Sequence, residues 1–88
     1  MTAWVVAWSR RAERDMLALD TSVARRVFTK VTEAAEDPPG AYARLKGSDE
    51  WKLRVGDHRV LAYLSFEERR VTIARVLHRS IAYKRSSS

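Results

Sequence analysis

The chain has 88 residues, enough for one small domain with a modest core. It has no cysteine and only two histidines, which excludes disulfides and thiolate metal sites and leaves little from which to build a zinc site. The formal charge is +6 and unevenly spread: residues 1–44 carry seven Lys/Arg against six Asp/Glu, residues 45–88 ten against five. From Arg69 to Ser88 there are six basic residues and no acid. Such a patch favours a polyanion, either nucleic acid or an acidic protein; the alternative is a solvated basic face that aids solubility. No apolar run approaches a membrane span, and the first residues lack the basic-then-apolar layout of a signal peptide. The expected location is the cytoplasm, with no membrane partner.

Residues 3–8, AWVVAW, are short, apolar and rich in Val and Trp, which predicts a strand buried on both faces. Ser9 stands where a helix N-cap belongs, and Arg10 to Leu19 follow without Pro or Gly. Ala12, Met16 and Leu19 lie at helical spacing. Asp20-Thr21-Ser22 offers a break and a second cap. A second helix is predicted from Thr21 to Glu36, with Val23, Val27, Val31 and Ala34 or Ala35 as its stripe and Phe28 widening it. The short connection makes the two helices an antiparallel hairpin. Asp37-Pro38-Pro39-Gly40 ends the second helix, and residues 41–50 read as a loop with room for a short strand at Tyr42–Leu45.

Three strands then follow in alternating pattern. Glu50–Val55 places Trp51, Leu53 and Val55 on one face and Lys52 and Arg54 on the other. Gly56-Asp57 is a turn, with His58 read as part of it, and Arg59–Phe66 is the next strand. After a turn at Glu67-Glu68-Arg69, Arg70–Leu77 sets Val71, Ile73, Arg75 and Leu77 against Thr72, Ala74 and Val76. Short connections make this a meander. Ser80–Ser88 is too short and polar for another packed element, and the terminal serines 86–88 are expected to be disordered. The predicted fold is α+β in the order βααβββ. A helical hairpin packs on one face of a twisted, mostly antiparallel sheet, and Lys52 and Arg54 point to the uncovered face. Trp4, Trp8 and Trp51 are assigned to the core.

The string LKGSDEWKLRVGDHRVLAYL, followed by VTIARVLHRSIAYKR, resembles the RelE side of the RelE/ParE toxin superfamily. The most specific pieces are Leu53 to Arg59 and His78 to Tyr83, and the element order also fits, so that residues 1–85 read as one RelE-like domain. The resemblance implies the toxin of a type II toxin–antitoxin pair. It further implies a metal-free, cofactor-free endoribonuclease that cuts messenger RNA in the ribosomal decoding site. In that chemistry the 2′-hydroxyl attacks the neighbouring phosphate and leaves a 2′,3′-cyclic phosphate.

By the same resemblance Lys52 and Arg54 position substrate and stabilise charge. Arg59 binds the scissile phosphate, and Arg79 stabilises the transition state or helps the leaving group. Tyr83 stacks on a base or transfers a proton, and His78 is a competing acid/base candidate. A tyrosine base needs its pKa of about 10 lowered by neighbouring cations, which Arg79, Lys84 and Arg85 could supply. Lys46, His78, Lys84 and Arg85 are further RNA contacts; Arg75 shares the alternation of Arg79 and is left outside the set. The implied partners are a cognate antitoxin, the ribosome and its mRNA, and operator DNA only through the antitoxin. Two alternatives stand beside this reading: a ParE-like DNA gyrase inhibitor, and a non-catalytic homologue acting as the antitoxin's corepressor.

Overall fold

The computed structural model describes residues 3–81. The elements are β1 (Val5–Trp8), α1 (Arg10–Leu17), α2 (Thr21–Ala34), a short turn α3 (Pro38–Ala41), β2 (Ala43–Arg44), β3 (Trp51–Val55), β4 (His58–Ser65) and β5 (Arg70–His78). Among the described residues the strands form one sheet in the order β1-β5-β4-β3-β2. The β1–β5 pair is parallel and the other pairs are antiparallel. The α+β class, the helical hairpin and the mostly antiparallel sheet follow the expectation from sequence. Tyr83, Lys84, Arg85 and the serine tail 86–88 lie outside the described residues.

Several local expectations are corrected. The apolar run at the N-terminus forms an edge strand rather than one buried on both faces. Val5 is 60% exposed, while Val6 and Trp8 pack on the core. The long partner of β1 is β5, some 65 residues away, and no local pattern announces that pairing. The proline segment after α2 winds into a helical turn, because proline suits the first helical positions where its missing N–H is not needed. His58 is the first residue of β4, paired with Val55, and not a turn residue. Phe28 does not widen the apolar stripe of α2: it is 55% exposed and stacks on Trp8 at 6.3 Å between ring centres.

The core lies between the helices and one sheet face. Val27, Val31 and Ala34 of α2 and Ala12 of α1 meet Leu53, Val55, Val60, Ala62, Val71, Ile73 and Val76. Burying each of the larger aliphatic side chains contributes about 1.5–3 kcal/mol. Gly56 closes the β3–β4 hairpin at a φ of +57°, a conformation that a side chain would resist.

A β-bulge decides which face the end of β5 presents. Leu61 pairs with Arg75, yet Ala62 pairs with Ile73, so Ala74 has no partner on β4. The extra residue reverses the alternation. Val71 and Ile73 face the helices, but beyond the bulge Val76 does so, and Arg75 and Leu77 turn to the other face. The strict alternation expected for Arg70–Leu77 is therefore wrong after Ile73.

The helices also finish the sheet edge. β1 stops at Trp8, opposite Ile73, and Ser9 N–H donates to the Ile73 carbonyl at 2.9 Å. The Ser9 hydroxyl then accepts from Ala12 N–H at 3.0 Å, which caps α1, and donates to the Ala74 carbonyl at 2.9 Å. Asp15, six residues on, accepts from Val76 N–H at 2.8 Å. Side chains of α1 thus continue the ladder that β1 abandons, and they blunt an edge that would otherwise invite pairing.

Candidate functional site

The uncovered face is read directly from the strand register. One row across the sheet is Arg54, Arg59 and Leu77; the next is Lys52, Leu61 and Arg75. Leu61 and Leu77 are buried on this face and pack with Leu45 from the β2–β3 loop, so the face is not wholly polar. Lys46, the next residue in the chain after Leu45, is exposed. The basic residues surround a small apolar patch.

Arg54 and Arg59 are direct cross-strand neighbours. Like charges placed so are destabilising, by the same few tenths to 1 kcal/mol that opposite charges contribute. Among the described residues no carboxylate pairs with either. Among the described residues the ion pairs are Arg44–Asp49, Arg70–Glu68 and Arg75–Asp15, and none involves Lys52, Arg54, Arg59 or Arg79. Among the described residues, Arg59 Nη1 donates to the carbonyl of its neighbour His58, at 3.2 Å. A sheet that concentrates unneutralised cations is shaped to receive an anion from outside, and arginine forks match phosphate oxygens.

Arg79 follows β5 and is exposed. Its N–H donates to the Asp57 carbonyl at 2.7 Å, which ties the start of the C-terminal segment to the tip of the β3–β4 hairpin. The structure thus brings Lys52, Arg54 and Arg59 to one face and fastens Arg79 at its end. Tyr83, Lys84 and Arg85 lie beyond the described residues.

His78 is placed differently from the arginines. It pairs with His58, and strand alternation sends both to the side opposite Arg59 and Leu77. The two imidazoles meet edge to face, 5.4 Å apart. Ser80 N–H donates to His78 Nδ1 at 3.3 Å, with the Ser80 hydroxyl 3.1 Å away. The pKa of His58 is held below the ordinary histidine value, chiefly by burial and then by the charge of His78, with Asp57 opposing.

A groove that sequence reasoning did not single out adjoins the basic rows. It is a shallow, open groove of about 550 Å³ lined by Ser9, Arg11, Glu50, Tyr63, Thr72 and Arg75, with Ala74 at the bulge. Arg75 is held by Asp15 through Nε at 2.9 Å and Nη2 at 3.2 Å. That bond raises the arginine pKa. The Tyr63 hydroxyl donates to Glu50 Oε2 at 3.4 Å. The sequence signal for this groove, Arg75 on the open face, depends on the bulge.

Comparison with known proteins agrees with this architecture. Residues 6–83 match the family model described as the ParE toxin of type II toxin–antitoxin systems, parDE. No curated protein sequence matches the chain. Among solved structures, the chain is similar to the toxin–antitoxin complex RelBE2 of Mycobacterium tuberculosis, at 23% identity and a TM-score of 0.79, over 89% of this chain and 100% of that one. It is similar to the archaeal RelE–RelB complex of Pyrococcus horikoshii, at 19% identity and a TM-score of 0.76, over 89% and 97%. The isolated RelE toxin of E. coli matches at 22% identity and a TM-score of 0.75, over 94% and 98%.

Proposed function

Because the chain belongs to the ParE toxin family of type II toxin–antitoxin systems, with the fold of the RelE/ParE superfamily, we propose that it is a toxin of the RNA-cutting kind. Its substrate is messenger RNA in the ribosomal decoding site. The observation that carries this reading is the set Lys52, Arg54 and Arg59 on one uncovered face, without carboxylate partners among the described residues and with Arg79 fastened beside it.

The mechanism follows from what side-chain cations can do. The ribose 2′-oxygen attacks the adjacent phosphorus, the bond to the 5′-oxygen breaks, and a 2′,3′-cyclic phosphate forms. The 2′-hydroxyl gives its proton to a base, and the departing 5′-oxygen takes one from an acid. Charge accumulates on the phosphoryl oxygens between these events. Arg59 and Arg54 meet those oxygens, Lys52 adds a point charge, and Arg79 stabilises the departing oxygen. Tyr83 and His78 are the two candidates for proton transfer. Since the ring of His78 lies against His58, away from the arginine row, Tyr83 is the stronger of the two.

The similar structures include toxins bound to RelB antitoxins, which supports a cognate antitoxin for this chain. The second reading is gyrase inhibition without nuclease chemistry, favoured by the ParE-type family match. Purified protein added to programmed ribosomes, with mRNA ends mapped, separates the two. Cuts bearing 2′,3′-cyclic ends are expected. No cuts, with gyrase supercoiling blocked in a parallel assay, would overturn the proposal in favour of the second reading.

A further inference from the structure

We propose that the groove between the N-terminal end of α1 and the open face of β4 and β5 is a base-recognition subsite. It takes a nucleotide next to the one that is cut and prefers a base with an exocyclic amino group over uracil. This inference rests on the RNA-cutting reading above.

Position is the first argument. Glu50 precedes β3 by one residue and stands two residues, roughly 7 Å, from Lys52 along the same strand direction. Arg75 belongs to the same cross-strand row as Lys52 and also lines the groove. The groove therefore opens directly beside the basic rows, on the same face, one strand-row beyond the cations assigned to the scissile phosphate.

Chemistry is the second argument. Single-stranded RNA is read by splayed bases lying against aromatic rings and arginine planes and bonded along their edges. The groove holds those parts. Tyr63 is 44% exposed and supplies a ring. Arg75 supplies a guanidinium whose plane is held by the two bonds it donates to Asp15, so little freedom is lost when a base meets it. Thr72 adds a hydroxyl. Asp15 also offsets the charge of Arg75, which leaves Arg11 as the groove's cation for a backbone phosphate.

Glu50 decides between base and phosphate. A carboxylate repels a phosphate but accepts well from the exocyclic amine of a base. Its Oε2 lies 3.4 Å from the Tyr63 hydroxyl, which puts carboxylate and ring side by side in the groove. The amines of adenine, cytosine and guanine are donors to such a group. Uracil has no exocyclic amine, and its one edge donor, N3–H, is flanked by two carbonyl oxygens whose lone pairs repel the carboxylate.

The test uses the full-length protein on ribosomes programmed with mRNAs that differ in one base beside the cut, each of the four bases in turn. Wild type should cut the uracil message at roughly a tenth of the rate of the others, the cost of one charge-assisted hydrogen bond. E50Q should largely erase that difference, because an amide can donate to a uracil carbonyl. Tyr63→Ala should raise KM for all four messages, with Tyr63→Phe close to wild type and circular dichroism showing each variant folded. If folded E50Q keeps the base profile of wild type, or wild type shows no such profile, the subsite is refuted and the nuclease stands. If wild type cuts nothing, the underlying reading fails and the subsite falls with it.

Discussion

Arg54 and Arg59 face each other across the β3–β4 hairpin as a directly opposed pair of like charges. Nothing in the fold requires this. Val55, Leu53 and Val60 hold the same hairpin to the helices from the other side. The arrangement costs stability and concentrates charge, the signature of residues retained for a task other than folding.

Removing either arginine should therefore separate stability from function. Arg54→Ala is expected to leave the protein as stable or up to about 1 kcal/mol more stable at low salt, with the gain shrinking as salt screens the pair. RNA cleavage by Arg54→Ala or Arg59→Ala should fall by a factor on the order of a hundred or more. Thermal melts at two ionic strengths and a ribosome cleavage assay check both halves. Antitoxin binding should persist in a correctly folded variant.

Asp15 is expected to be the costliest polar residue to truncate. It accepts from Arg75 Nε and Nη2 and from Val76 N–H, and the pair is only 24% and 17% exposed. Asp15→Ala leaves a half-buried guanidinium and a backbone donor without that acceptor, a loss of about 2–4 kcal/mol. Asp15→Asn should recover part of it. Urea denaturation gives the midpoints, and hydrogen exchange at the Val76 amide should quicken in the alanine variant.

His58 predicts a specific pH response. Its folded pKa is lowered by burial and by His78, so the unfolded chain binds its proton first as pH drops. Stability from this group is present above the unfolded value of about 6.5 and is lost as pH falls through the lower folded value. His58→Asn should flatten the dependence of melting temperature on pH below neutrality. An NMR titration placing His58 above 6.5 would contradict the expectation.

Tyr42 is 4% exposed, and its hydroxyl has no hydrogen-bond partner among the described residues. Burial pushes its pKa well above the usual tyrosine value. Tyr42→Phe is expected to match or exceed wild-type stability, by about 1 kcal/mol. The phenol is neutral in both states below about pH 10. Above that the unfolded chain ionises first and stability falls as pH rises toward the folded value, so alkaline melts should separate wild type from the phenylalanine variant.

Much of the fold is legible because its signals are local. Ser9 caps α1 as its position predicts, and Val27 and Val31 are buried where the helical stripe puts them. The Gly56-Asp57 turn and the facing of Lys52 and Arg54 follow from a two-residue loop and strict alternation. The candidate site is legible in part. Lys52, Arg54 and Arg59 are neighbours because they share one hairpin, but the separation of His78 from them depends on a partner strand and on the bulge before it.

The sequence by itself determined the order of the main elements, the apolar faces of α2 and β3, and the surplus of positive charge on the β3–β5 half. These depend on contacts within a few residues, where periodicity and turn chemistry act. Only the tertiary structure decided that β1 lies at an edge beside β5, that Ser9 and Asp15 complete that edge, and that one unpaired residue, Ala74, turns Arg75 and Leu77 to the open face. Each of these joins residues some sixty positions apart or shifts a register by one. A strand's alternation carries no record of where its partner inserts an extra residue, so the groove at Arg75 exists only once the sheet is assembled.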